Sequence, residues 1–152
     1  MFQRDATIFD EVIKARVARD LAMEEKEKRK FGEVALEKLK IATEIPFQIG
    51  EACLALIDHG AFVFDMGFRG VRGDTGAAIS AAVAGAMAAI FVINLNLKSF
   101  RGSDWAIQQR KRCDEMHHLL SRKQLDAFSR VMTLRDEDIS SMSFKFDEEA
   151  GV

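Results

Sequence analysis

Apolar positions recur at helical spacing along most of the chain, and its segments differ chiefly in how polar their opposite faces are. Residues Asp5 to Asp20 place Phe9, Val12, Ile13 and Val17 near one face, with Asp5 or Thr7 as a cap, the pattern of an amphipathic helix that packs by that face only. From Met23 a run of mixed charges, including Arg29 and Lys30, passes into Phe31, Val34, Ala35, Leu39 and Ala42 at the same spacing. The charges read as a solvated helix face. Pro46 predicts a break, because proline suits the first turn of a helix and disrupts its interior. Phe47 to Phe64 follows as a more apolar helix, carrying Ile49, Ala52, Cys53, Leu56, Ile57 and Ala61. Met66 to Gly73, reading MGFRGVRG, has the backbone chemistry of a loop. Arg101 and Gly102 stop a helix, Ser103 and Asp104 start another, and Trp105, Ile107, Cys113, Met116, Leu120, Leu125, Phe128 and Val131 predict one long amphipathic helix to about Leu134.

The stretch from Asp74 to Phe100 has no such polarity. No side chain from Ala77 to Ile93 carries a charge and eight of the seventeen are alanine, so this helix has no face for water and should be covered on all sides. A bilayer or the centre of a bundle would do that. Ala77, Ala81, Gly85 and Ala89 form a small-residue stripe that brings backbones close, where a lipid-facing helix would carry leucine, isoleucine and phenylalanine. The expectation is therefore an all-α helical bundle, residues 1–134, around a buried Ala-rich central helix, with no membrane span. An acidic, serine-rich tail, residues 135–152, is expected to be mobile or to dock late.

Composition agrees with that class. The chain has 152 residues, one proline, no tyrosine and 48% hydrophobic residues, enough for a helical core and without a requirement for a sheet. A formal charge of −2 gives no basic field, so no nucleic-acid partner is expected. Cys53 and Cys113, the only cysteines, form no metal-binding pair and read as reduced, buried thiols. With no apolar leader after Met1, a cytoplasmic location is expected.

Candidate chemistry gathers at the ends of the central helix. Asp74 stands where a carboxylate caps a helix and faces the positive end of its dipole, and an N-cap is the plain reading. Asn94 and Asn96 interrupt the apolar run; buried amides need partners, so they tie helices together or face a ligand. Gly67 permits close approach, and Arg69 and Arg72 would grip a carboxylate or phosphate if the loop is more than a connector. The spacing matches neither a P-loop nor a dinucleotide fingerprint. His59 reads as a bystander, and the adjacent His117 and His118 point to different sides and form no metal pair.

Several strings, in order, resemble the C-terminal domain of formiminotransferase-cyclodeaminase, a group that includes stand-alone formimidoyltetrahydrofolate cyclodeaminases and methenyltetrahydrofolate cyclohydrolases. They are the segment from Val12 to Lys30, ATEIPF at Ala42 to Phe47, GFRGVRGD at Gly67 to Asp74, and IFVINL at Ile90 to Leu95. The chain departs from the family's polar signature at Phe68, Gly73 and Ile90, where asparagine, serine and asparagine are usual. It also shows no counterpart of the family's glycine-rich N-terminal segment, which suggests a shortened relative or a helix supplied by another chain. The resemblance implies a metal-free enzyme acting on a substituted tetrahydrofolate, with Asp74 and Asn94 as its catalytic pair and Gly67, Arg69 and Arg72 as folate contacts. It also implies a homodimer or a complex with a completing subunit. The alternative is a non-catalytic relative that acts as a subunit or adaptor and binds folate or a protein.

Overall fold

The computed structural model describes residues 2–100 and 102–134; the predicted stop at Arg101, the side chains of Asp5 and Val131, and the tail at 135–152 lie outside what it describes. The chain forms helices α1 (Phe2–Leu21), α2 (Glu25–Met66), α3 (Arg72–Lys98) and α4 (Asp104–Leu134), with one 3-10 turn at Arg69–Val71. No strand occurs among the described residues. The all-α expectation holds. Thr7 lies inside α1 and not at its N-terminus, because that helix begins at Phe2.

The order of contacts gives the topology. Along α2, Gly50, Cys53 and Gly60 meet Ala89, Gly85 and Ile79 of α3 in reversed order, so these two helices are antiparallel. Glu44, Glu51, Asp58 and Asp65 of α2 meet Arg112, Lys123 and Arg130 of α4 in the same order, so α2 and α4 run parallel. The core lies where the three meet, with Phe47, Leu54 and Ile57 packed among Ile79, Ala86, Ile90, Ile93, Leu97, Cys113, Met116 and Leu120. α1 folds back on α2, held by the buried Val12 and Ala15 and by a 2.6 Å ion pair between Glu11 and Lys38.

Two expectations are corrected. α2 does not break at Pro46 but runs through it. A proline inside a helix costs about 3 kcal/mol, and the flanking Leu39 and Phe47, both fully buried, offset that by removing apolar surface from water. Nor is α3 covered on all sides. Its buried residues, among them Ile79, Ala82, Ala86, Ile90, Ile93 and Leu97, lie on one face, whereas Phe91 and Leu95 are 65% and 66% exposed. Of the predicted small-residue stripe, Ala89 is buried, Gly85 half-buried, and Ala77 and Ala81 exposed. Among the described residues α3 packs chiefly against α2 and α4, and two helices cannot enclose a third. By length and composition, α2 and the Arg69–Lys98 segment are apolar enough to cross a membrane, with 33% and 28% of their most apolar stretches buried.

Candidate functional site

The connection between α2 and α3 is shorter than the glycine pattern predicts, because Arg69–Val71 is a 3-10 turn and α3 already starts at Arg72. Gly67 closes α2, its N–H donating to the Val63 carbonyl at 2.8 Å. A Cβ there would lie 2.4 Å from that carbonyl oxygen, so the glycine is required by its own helix end. Arg72 serves the same end: its Nε donates to the Phe64 carbonyl at 3.0 Å and its guanidinium lies 5.2 Å from the centre of the Phe64 ring. Arg69 is exposed beside it.

Asp74 is not the N-cap. That position belongs to Val71, and Asp74 sits in the first turn of α3, exposed and in no ion pair with any described residue. Thr75, not Asp74, turns back on the start of the helix, its hydroxyl donating to the Val71 carbonyl at 2.9 Å. The Asp74 carboxylate is thus open to solvent near the positive end of a long helix, a place that favours negative charge and suits stabilising a nearby cation.

Asn94 lies twenty residues further along the same helix. At 1.5 Å per residue the separation is about 30 Å, so one small ligand cannot touch Asp74 and Asn94 of a single chain. The Asn94 amide donates to the Ile90 carbonyl at 3.0 Å and reaches the Cys113 sulfur at 3.5 Å. Burial pushes the Cys113 thiol above its ordinary pKa, with the Asn94 bond acting the other way.

Asn96 carries the more unusual environment. It is 8% exposed, and its side chain makes no hydrogen bond among the described residues. It lines a groove of about 460 Å³ between α1, α2 and α3, walled by Phe9, Ile45, Ile49, Ala88 and Val92. A buried amide without a partner is costly, by about 1–3 kcal/mol, and an apolar groove with one polar group at its wall is the usual form of a small-molecule site. The sequence marks Asn96 as a buried polar residue, but the groove depends on how α1 and α2 lie beside it.

No group of metal-binding side chains occurs among the described residues. His59 Nδ1 lies 2.7 Å from the Ala55 carbonyl, and His117 and His118 stack with ring centres 6.4 Å apart on the exposed side of α4.

These features define an all-helical protein with an open carboxylate at the head of its central helix and an amide-bearing apolar groove near that helix's far end. Residues 1–115 match the model of the formiminotransferase-cyclodeaminase family, and the chain belongs to that family. No curated protein matches it.

Proposed function

We propose that the protein acts on a substituted tetrahydrofolate in the manner of a formimidoyltetrahydrofolate cyclodeaminase or methenyltetrahydrofolate cyclohydrolase. The family match over residues 1–115 carries this reading. The open Asp74 carboxylate supports it, because the 5,10-methenyl group, product of the one reaction and substrate of the other, is a cationic one-carbon unit that a fixed negative charge attracts and orients. In this reading Asp74 faces the one-carbon centre. Arg69 meets the negative groups of the folate, and Gly67 and Arg72 hold the turn that presents them both. Asn94 acts indirectly, by fixing the end of α3 against α4. A homodimer is the expected working unit and the cytoplasm its expected place.

The test is the loss of the ultraviolet absorption of 5,10-methenyltetrahydrofolate with and without protein. Acceleration by the wild type that falls about a hundredfold in Asp74→Asn is expected, the scale of losing one electrostatic stabiliser. No acceleration by a folded wild type would refute the enzymatic reading.

A second reading, a non-catalytic subunit or adaptor, draws on Arg72. Its hydrogen bond and ring contact are spent on the end of α2, which leaves fewer groups at the head of α3 for a ligand. Folate binding without turnover would favour it.

A further inference from the structure

The groove that holds Asn96 contains a second polar group, one that its own helix has released. Pro46 has no N–H, so the Ala42 carbonyl loses the partner that a residue four positions on would supply within α2. Ala42 and Pro46 both line the groove, and Ala42 is buried. The register of α2 on α3 sets the two polar groups side by side. Gly50 meets Ala89 and Cys53 meets Gly85, and the same antiparallel register carried eight residues back along α2 brings Ala42 within one residue of the level of Asn96. The Ala42 carbonyl and the Asn96 amide therefore stand within about one helical turn, about 5 Å, of each other along the groove.

Their surroundings are uncharged. Phe9 of α1, Ile45 and Ile49 of α2, and Ala88 and Val92 of α3 form the walls, and no acid or base is among the described residues that line them. An ion would lose its water here without gaining a counter-charge, so a carboxylate, a phosphate or an ammonium is a poor occupant. A neutral, apolar body suits the groove, whose volume of about 460 Å³ is that of a small-molecule site. The polar edge of the ligand is set by what the walls leave unpaired. Asn96 offers an acceptor oxygen and a donor NH2, and Ala42 offers an acceptor. A primary carboxamide answers all three, because its carbonyl accepts from Asn96 Nδ2, the N–H on the same side donates to Asn96 Oδ1, and the other N–H is left for Ala42. An alcohol has a single hydrogen to donate, and a carboxylic acid is ionised at neutral pH.

We propose that the groove between α1, α2 and α3 binds an uncharged primary carboxamide with an aromatic or cycloaliphatic body, held by Asn96 and by the Ala42 carbonyl. The site lies about 33 Å along α3 from Asp74 and is separate from the one proposed for folate, whose carboxylates would meet no cation here. It stands whether or not the protein acts on folate.

Calorimetric titration with 2-naphthamide tests the site. The wild type should bind one molecule per chain, and should bind 2-naphthoate and N,N-dimethyl-2-naphthamide about tenfold or more weakly, because the first is charged and the second has no N–H. Asn96→Leu should weaken 2-naphthamide about tenfold or more and remove its advantage over the dimethyl amide, with helical circular dichroism unchanged. Pro46→Ala returns an N–H to the Ala42 carbonyl, and should weaken binding about threefold to tenfold while raising the unfolding midpoint. Opposite movements of stability and affinity in that variant separate a ligand contact from a structural one. A wild type that does not bind 2-naphthamide at millimolar concentration, or that binds the three compounds alike, overturns the site. So does an Asn96→Leu variant that binds as the wild type does. Displacement of 2-naphthamide by 5-formyltetrahydrofolate would put folate in the groove and overturn a separate site.

Discussion

The guanidinium of Arg112 lies 4.1 Å from the centre of the Phe47 ring and reaches Glu44 at 2.8 Å and Glu51 at 2.6 Å. Phe47 is fully buried and the two carboxylates are exposed, so this one side chain of α4 covers the edge of the core and pins it to two points of α2 about two turns apart. The hydrogen bond to Glu44 is the chief cause that makes the Arg112 proton harder to lose; burial, next in size, opposes it, and the bond to Glu51 adds to it.

Arg112→Ala should lower stability by about 1–2 kcal/mol in urea unfolding followed by helical circular dichroism. That range is discounted because the Arg112 side chain is 36% exposed and its ion pairs are screened by water. Arg112→Lys should keep the charge but lose the forked geometry and the ring contact, and so recover less than half of the difference. An unchanged midpoint in Arg112→Ala would remove α4's anchor from Arg112.

Acid should loosen the far end of the same helix pair. Arg130 donates to Asp65 at 2.9 Å, and that bond holds the Asp65 carboxyl below its ordinary value, against a smaller opposing effect of desolvation. A carboxyl whose folded pKa is depressed contributes stability that is present above its unfolded pKa and is lost as pH falls through the folded one. Stability should therefore fall with pH in the acidic range below the ordinary carboxylate value. Asp65→Asn should flatten part of that fall, and thermal unfolding between neutral pH and the acid limit would show it. Equal acid sensitivity in both proteins would count against the Asp65–Arg130 pair.

Two glycines should answer oppositely to alanine. A Cβ at Gly60 would stand 2.5 Å from Cγ1 of Ile79, a buried side chain stiffened by branching at its Cβ, so Gly60→Ala should cost about 1–3 kcal/mol as α2 and α3 are pushed apart. Nothing lies within 4 Å of a Cβ at Gly76, within α3, and Gly76→Ala should stabilise by about 0.5–1 kcal/mol through the unfolded chain. Calorimetric midpoints moving in opposite directions would confirm the α2–α3 packing at Gly60.

The helical periods, the start of α4 at Asp104 and its run to Leu134 could be read from the residues, because capping and an amphipathic stripe are local properties. So was the ladder between α2 and α4, in principle: Glu44, Glu51, Asp58 and Asp65 recur every seven residues, a signal of one helix lying along another that becomes specific only when Arg112, Lys123 and Arg130 are known to face it. The family could be read as well, since its strings keep their order along the chain.

What local rules could not settle was decided by packing. Pro46 stays inside α2 because burial around it outweighs a local penalty. Gly67 and Arg72, chosen from the sequence as ligand contacts, close the end of α2 because the turn is tighter than its glycines suggest. The sequence by itself determined an all-helical chain, an uncharged central helix, and Asp74 at its head. Only the tertiary structure decided that α3 buries one face and leaves the other open, and that Asn96 sits unpartnered in a groove, because which groups lose water depends on the neighbours that long-range packing brings together.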